Sequence, residues 1–457
     1  MKNYFSKYLN HYKSLVMLGM PIVIGQIGVI VVSFADTLMV GHHSTLELAA
    51  ASFVNTLFML VIVFALGFSY ALTPIVGNLF GKNDHKGIGI ALINNVVANI
   101  ILSLLLILIL TVVYFNISLL GQPEELYPYI KPYFIINLVS LPFILWFNSF
   151  RQFSDGITDT KTSMWIMLSG NILNIICNWL LIYGVGFFPE LGLLGAGLST
   201  LLSRIFMAVM FSCLFLHKSK YIRFREGFKI SEIKRSELAA HNKLGWPLAL
   251  QMGMETAAFS LTGIMVGWLG VMELAAHQIL LTISQLFYMV YYGMGAAVAV
   301  RVSYFAGQND HKQLYDCSKA GLHIILFIAV CVAVPIWMLS DNIGYLFTDN
   351  SEVCLLVSAV ILPMVLYQFG DGMQCNYANA LRGIRVVKPL MTNAFIAYFV
   401  VSLPLSYIFG FVFNWRLLGI WFAFPFGLTC AGILYYICFR RSLKRAYNSD
   451  SGHGLSA

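Results

Sequence analysis

Charged side chains are scarce in this sequence: Asp, Glu, Lys and Arg together make up only 11% of its 457 residues. Apolar residues make up 59%, whereas soluble proteins contain about 45–50%. A chain so poor in charge and so rich in apolar residues is not a soluble domain. The formal net charge of +8 does not indicate a nucleic-acid partner either, because the basic residues alternate along the chain as membrane topology requires.

Motifs of nucleotide-driven or hydrolytic chemistry are also lacking. The sequence contains no P-loop, ABC signature, nucleophile elbow, HExxH or GxGxxG context, and its ten histidines form no metal-binding set. The eight cysteines lie mostly within apolar runs, so we interpret them as small buried hydrophobic residues. No cleavage site of a signal peptide follows the N-terminal segment. These absences argue against an enzyme, an ATP-driven pump and a resident cofactor.

Apolar runs dominate the chain, and each of twelve is long enough to cross a membrane as a helix, which takes about 20 residues. The sequence therefore predicts an all-α membrane protein with twelve transmembrane helices. The runs extend over 14–40, 51–73, 91–115, 128–150, 163–186, 192–216, 244–268, 275–299, 319–339, 353–378, 390–413 and 417–438.

Basic residues fall on one side of this predicted topology. All but three of the 28 lysines and arginines lie in the terminal segments or in loops after even-numbered helices. The exceptions are Lys131 and Arg416 in the opposite loops and Arg204 within the sixth helix. Cytoplasmic loops carry such an excess, so we expect both termini to be cytoplasmic.

The two halves of the chain repeat each other at a constant offset. The segments MVG, ELAA and GKNDHK begin at positions 39, 47 and 81, and they recur in the same register at positions 265, 273 and 307, the last as GQNDHK. Each half has six predicted helices, so we expect two lobes related by a pseudo-two-fold axis along the membrane normal. The predicted parts are an N-terminal lobe (1–225), a basic cytoplasmic linker that lies on anionic lipid (226–243), a C-terminal lobe (244–445) and a cytoplasmic tail (446–457).

Three acidic residues, Asp36, Glu255 and Asp371, lie within the predicted spans, where a charge costs about 3 kcal/mol or more. The repeat does not preserve them: Glu255 matches Val29, and Asp36 matches Thr262. A purely architectural acid would be expected in both halves, and only one basic residue lies within a span. We therefore interpret the acids as binding residues for H⁺ or Na⁺, with which a cationic solute competes.

Other polar residues lie within the spans. Asn171, Asn174 and Asn178 form one helical stripe, either for hydrogen bonds between helices or as neutral oxygen ligands that complete a site with Asp36. Pro21, like Pro142, Pro247, Pro363 and Pro404, lies in a span and removes a backbone hydrogen bond, so its helix is either a switch or a static kink.

Tyrosines accompany the acids of the second half. Tyr367 lies four residues before Asp371 on the same helical face, where it can donate to the carboxylate or offer an oxygen to an ion. Tyr288, Tyr291 and Tyr292 either line a cleft for flat cations through cation–π contacts or belong to an interfacial belt.

These features resemble the multidrug and toxic compound extrusion (MATE) transporters, in particular their NorM-type bacterial branch. The matching segments are SFADTLMVGHHSTLELAAAS, QMGMETAAF, ELAAHQ and QFGDGMQ, within a resemblance over about residues 10–440. The resemblance implies a multi-pass, two-lobe antiporter of the bacterial inner membrane that exports cationic, often aromatic compounds in exchange for Na⁺ or H⁺. Its expected partners are these small molecules, the coupling ion and membrane lipid, and we expect a monomer.

The resemblance also implies roles for individual residues. A coupling-ion site is implied at Glu255, Asp371 and Tyr367, with Tyr288 close by, and Gln278 resembles a substrate-contacting position. Substrate is expected to compete at Glu255, Asp371 and Asp36. In the first lobe, Asp36 with Asn174 and Asn178 resembles a second cation site, and Pro21 resembles a proline at which the first helix bends. A related branch has an acid where Asn178 stands and a threonine where this chain has Ala196.

Two other functions fit a twelve-helix membrane protein. A lipid-linked oligosaccharide flippase would need a cationic cleft for a diphosphate, whereas the mid-membrane charges here are mostly acidic. An ion-coupled nutrient symporter would move its solute inward with the ion, and the direction of flux separates it from an exporter. A channel is disfavoured because nothing in the sequence resembles a selectivity filter.

Overall fold

The structure, a computed structural model, describes residues 2–452, with side chains described from 7 to 448. Within these residues the regular structure is helical, and short 3₁₀ turns connect several of the helices. The α-helices are α1 (Lys2–His43), α2 (Thr45–Ser69), α3 (Leu72–Gly81), α4 (His85–Phe115), α5 (Tyr127–Gly156), α6 (Thr160–Ile182), α7 (Leu193–His217), α8 (Ile222–Arg225), α9 (Arg235–Gly267), α10 (Val271–Gly307), α11 (His311–Met338), α12 (Ser351–Gly383), α13 (Lys388–Phe395), α14 (Leu403–Tyr407) and α15 (Arg416–Gly452).

Eleven helical stretches of the described chain are long and apolar enough to cross a membrane. The predicted seventh span corresponds to α9, which has 33 residues but is less apolar because it contains Gln251 and Glu255. Two π-helical segments, Ile396–Ser402 and Ile408–Val412, flank α14 within a single span. The predicted all-α, twelve-helix membrane fold is confirmed. The helices extend past the predicted runs because apolarity marks only the part inside hydrocarbon.

The chain divides into two compact units. The N-terminal unit comprises Ile24–Ala249, and the C-terminal unit comprises the residues up to Val23 together with those from Leu250 onward. The first half of α1 therefore packs in the C-terminal unit, where Lys7 Nζ lies 2.7 Å from Asp316 Oδ1. The lobe limits predicted at 225 and 244 stay predictions.

The repeated GKNDHK and GQNDHK segments form the same turn in both units. Asn83 and Asn309 adopt left-handed backbone conformations, with φ of 58° and 57°, which asparagine tolerates better than most residues. The following Asp84 and Asp310 cap α4 and α11, each accepting a backbone N–H of the first turn at 2.8 and 2.9 Å. The repeat thus preserves a chain reversal and a helix start.

The connector between α7 and α9 is folded against the rest of the N-terminal unit. Tyr221 and Phe224 are fully buried, and Phe224 lies edge-on to Phe153, with ring centroids 5.5 Å apart. The backbone at Gly227 touches the backbone of α4 near Gly89. Aromatic residues between the basic ones dock this connector, and the contact of the 226–243 linker with lipid stays a prediction.

Candidate functional site

Glu255 and Asp371 line one cavity of about 30 Å³ in the C-terminal unit. Helix α9 provides Glu255, α12 provides Asp371, and α10 adds Tyr288 and Tyr292 to the same lining. Asp371 is only 5% exposed, whereas Glu255 is half-buried. The structure thus brings together three of the predicted coupling-site residues, Glu255, Asp371 and Tyr288.

Two glutamines hold the Glu255 carboxylate and were missed in the sequence. Gln251, one turn earlier on α9, donates through Nε2 to Glu255 Oε2 at 3.2 Å. Gln374 on α12 donates through Nε2 to Glu255 Oε1 at 3.5 Å. The i, i+4 spacing of Gln251 and Glu255, and the i, i+3 spacing of Asp371 and Gln374, were the available signals.

Arg382 also lines this cavity, although the sequence places it in a cytoplasmic loop. It lies in the last turn of α12 and is only 8% exposed. The helix extends past the predicted end at residue 378, and this extension turns Arg382 inward. The electrostatics of the cavity therefore involve two carboxylates and one guanidinium.

Tyr367 and Gln278 are not part of the cavity lining. Tyr367 is 6% exposed and packs in the core of the C-terminal unit, with its ring centroid 6.0 Å from that of Trp421 and 6.1 Å from that of Phe424. Gln278 is exposed on α10. Their predicted roles in ion and substrate binding stay predictions.

The N-terminal unit brings Asp36 of α1 together with the asparagines of α6. Asn178 donates through Nδ2 to Asp36 Oδ1 and to Asn174 Oδ1 at 3.2 Å. In the rotated orientation of its amide, Asn174 donates to Asp36 at 3.0 Å instead of accepting from Asn178. Thr200 of α7 lies within 3.4 Å of the Asn174 amide, one helical turn after the Ala196 considered in the sequence.

Asn171 and Pro21 are the remaining residues of the first repeat for which the sequence predicts a role. Asn171 packs against Gly28 of α1, where a Cβ would approach its amide nitrogen to 2.6 Å, so it serves helix packing rather than the Asp36 cluster. Pro21 is buried in the C-terminal unit and lies within α1, which is uninterrupted from Lys2 to His43.

Comparison with known proteins assigns the chain to a family. The MatE family model matches residues 21–180 and again 247–408, once in each predicted repeat. This chain belongs to the MatE family. The two matches to the MatE model agree with the register of the internal repeat, because each match begins at the proline of the first helix of its half, Pro21 or Pro247.

Curated relatives of this MatE protein include bacterial proteins. A probable multidrug resistance protein NorM of Photorhabdus laumondii is 30% identical over 430 residues, which cover 93% of this chain and 94% of the relative. The multidrug resistance protein NorM of Vibrio cholerae is 29% identical over 94% of this chain and 95% of the relative. The NorM-type resemblance read from the sequence is confirmed.

Solved MATE structures share the fold at low identity. The eukaryotic MATE transporter AtDTX14 superimposes with a TM-score of 0.86 at 18% identity, covering 97% of this chain and 99% of its own. A MATE protein in its bent conformation superimposes with a TM-score of 0.88 at 20% identity, covering 96% of this chain and 97% of its own. These neighbours support the twelve-helix, two-lobe layout of a multi-pass membrane transporter.

Proposed function

We propose that this MatE protein is a multidrug efflux antiporter that exports organic cations, often aromatic ones, in exchange for Na⁺ or H⁺. The observation that carries the proposal is the pair of carboxylates, Glu255 and Asp371, on one small cavity of the C-terminal unit. Relatives named as multidrug resistance proteins support the substrate class.

Exchange follows from competition for negative charge. A carboxylate inside a membrane protein is stabilised by a proton, a small cation or a positively charged solute. When the ion enters from outside and binds at Glu255 and Asp371, it displaces the drug, and when it leaves to the cytoplasm the site accepts drug again. Alternating access of the two lobes couples these steps, so that the inward ion gradient drives outward drug movement.

A second cation site at Asp36 is part of the proposal. Asn174 and Asn178 supply neutral groups around Asp36, and Thr200 adds a hydroxyl next to Asn174. A single carboxylate among neutral polar side chains suits a monovalent cation or a proton. We assign the protein to the bacterial inner membrane as a monomer in contact with lipid, with both termini cytoplasmic because the basic loops lie on that side.

Amide substitution of the two acids tests the proposal. Glu255→Gln and Asp371→Asn keep the shape of the side chain but remove the charge that ion and drug share. We expect each to lower efflux of a cationic dye from proteoliposomes by at least about tenfold, equivalent to about 1.4 kcal/mol. Gradients of Na⁺ and of protons are imposed separately, so that the coupling ion is identified in the same assay.

Matched controls are available on exposed loops. Glu124→Gln and Asp349→Asn make the same chemical change at exposed positions and should leave transport at the wild-type rate. Size-exclusion profiles establish that all four variants are folded. Wild-type, ion-driven dye export by the double variant at Glu255 and Asp371 is the result that contradicts the proposal.

A further inference from the structure

Helices α6 and α7 of the N-terminal unit form a groove with an apolar lining. Its volume is about 420 Å³, and it is lined by Leu173, Cys177, Leu202, Ile205, Phe206, Val209 and Met210. None of these side chains bears a nitrogen or an oxygen, so the groove offers water and polar solutes only weak contacts with sulfur. Cavities of this kind bind apolar molecules rather than water.

The groove lies on a different face of α6 from the Asp36 cluster. Leu173 and Cys177 each directly precede one of the two asparagines of that cluster, and consecutive residues of an α-helix point about 100° apart. On α7, Leu202 and Val209 are 46% and 51% exposed. Because both helices belong to predicted spans, the groove opens at the depth of the hydrocarbon layer.

Positive charge lies beyond one end of the groove. Helix α6 begins and α7 ends on the same side of the unit, where Lys220 Nζ lies 2.7 Å from Thr162 Oγ1. Lys161 and Lys218 are exposed on that side, and no carboxylate of the described residues pairs with either lysine. The nearby Asp159 is already paired with Lys220, at 2.6 Å. This end of the two helices is therefore positively charged.

Spacing along the helices matches the length of one lipid leaflet. With a rise of 1.5 Å per residue, Met210 lies about 12 Å and Leu202 about 24 Å from Lys218 along α7. The hydrocarbon layer is about 30 Å thick, so the groove runs from below the headgroups past the middle of the bilayer. Trp165 is 65% exposed and lies one turn after Lys161, as aromatic residues do at a membrane interface.

We propose that the groove between α6 and α7 binds an anionic phospholipid, with one acyl chain along the apolar lining and the phosphate beside Lys161 and Lys218. The apolar lining selects the chain, and the two lysines select a negatively charged headgroup. The lysines repel a cationic solute, so this site is separate from the proposed transport of organic cations.

Native mass spectrometry of the purified full-length protein counts the lipid molecules that it binds. The protein is titrated separately with phosphatidylglycerol and with phosphatidylcholine that has the same acyl chains. The double variant Lys161→Gln with Lys218→Gln removes the positive charge, and Val209→Trp fills the groove. If Val209→Trp does not fold, Cys177→Phe replaces it and fills the groove from α6.

Matched controls make the same changes away from the groove. Lys312→Gln with Lys388→Gln removes two exposed lysines of the C-terminal unit. Val112→Trp changes a valine of α4 that is 60% exposed and lies outside the groove lining. Melting temperatures establish that all variants are folded.

We expect one phosphatidylglycerol per chain to bind about tenfold or more tightly than phosphatidylcholine, because two basic residues lie beside its headgroup. The double lysine variant should bind the two lipids with similar affinity. The groove-filling variant should lose the bound lipid, and the control variants should bind it as the wild-type protein does.

Three results overturn the inference. Equal affinity of the wild-type protein for the two lipids would show that the lysines do not select a headgroup. Unchanged binding of phosphatidylglycerol by a folded groove-filling variant would place the lipid elsewhere on the protein. A dimer of this chain that the groove-filling variant abolishes would make the groove a contact between two protein molecules.

Discussion

His43 lies between two carboxylates in the N-terminal unit, with Nδ1 2.8 Å from Glu47 Oε2 and Nε2 3.0 Å from Glu190 Oε1. Ionised carboxylates only accept hydrogen bonds, so both ring nitrogens must donate and the imidazole must be charged. In the second repeat, Glu273 and Arg416 occupy the positions that correspond to Glu47 and Glu190, and these two residues form an ion pair. The counterpart of His43 is Leu269, so the second repeat pairs its glutamate with an arginine and has no titratable histidine between the two positions.

The His43 cluster should make stability depend on pH. Because the charged imidazole is favoured in the folded state, its contribution is present at low pH and is lost as rising pH deprotonates the ring. We expect the melting temperature of the wild-type protein in detergent to fall between about pH 6 and pH 8 by an amount equivalent to about 1 kcal/mol.

His43→Arg is the control for that prediction, because arginine stays charged over this range. Its melting temperature should not show the same fall. His43→Ala should be less stable at low pH and should also lack the pH dependence. If the melting temperatures of the wild-type and His43→Ala proteins change with pH in parallel, a group other than His43 causes the pH dependence.

The asparagines of α6 divide into two kinds. Asn178 donates to Asp36, whereas Asn171 packs against Gly28. We expect Asn178→Leu to lower ion-driven dye efflux about tenfold, because the half-buried Asp36 carboxylate loses a donor worth about 1.5–3 kcal/mol. Asn171→Leu should retain transport in the same proteoliposome assay, and equal loss in the two variants would show that Asn178 has only a packing role.

At the scale of elements, the docking of the connector between α7 and α9 onto α4 depends on two glycines. A Cβ at Gly227 would overlap the Lys86 carbonyl oxygen, and a Cβ at Gly89 would overlap the Phe224 carbonyl oxygen. Both neighbours are backbone atoms, which cannot move aside without shifting α4 or the connector. The connector is therefore docked by direct contact between two backbones.

Alanine at either glycine should displace the connector. We expect Gly89→Ala and Gly227→Ala each to destabilise the protein by about 1–3 kcal/mol, seen as a lower melting temperature and faster proteolysis between α7 and α9. Gly267→Ala is the control, since no atom lies within 4 Å of a Cβ there. Unchanged melting temperature and proteolysis in both connector variants would contradict this account of its docking.

Helices could be predicted from the sequence where one property, such as apolarity, dominates a stretch of the chain. Long apolar runs identified the spans. The inward position of Arg382 could not be predicted, because it depends on how far α12 continues past its apolar run. Thr200 and Gln374 were missed for a similar reason: their partners lie on other helices, and a single sequence gives no distance between helices.

At the scale of the whole molecule, the constant offset between matching segments identified the repeat, and the two family matches confirm it. The division of α1 between the compact units at Val23 and Ile24 could not be predicted. No change of composition marks that point, and the division depends on packing such as the contact between Lys7 and Asp316. Sequence patterns therefore predicted topology better than they predicted which helix halves pack together.

The orientation of the whole chain in the membrane is the last prediction. The loop that contains Gln122 has few basic residues, whereas the turn with Lys82 belongs to the basic face, so we place the first outside and the second in the cytoplasm. Single cysteines at these positions, with all eight native cysteines changed to serine, report sidedness through a membrane-impermeant maleimide.

In intact spheroplasts, Gln122→Cys should be labelled and Lys82→Cys should not, whereas both should react after permeabilisation. The turn of the second repeat provides an independent check, because Lys312 is the counterpart of Lys86 and Lys312→Cys should behave like Lys82→Cys. The distribution of basic residues requires all cytoplasmic positions to respond together. Labelling of Lys82→Cys in intact cells would show that the topology is the inverse of the predicted one. The ion would then enter the proposed exchange from the opposite face.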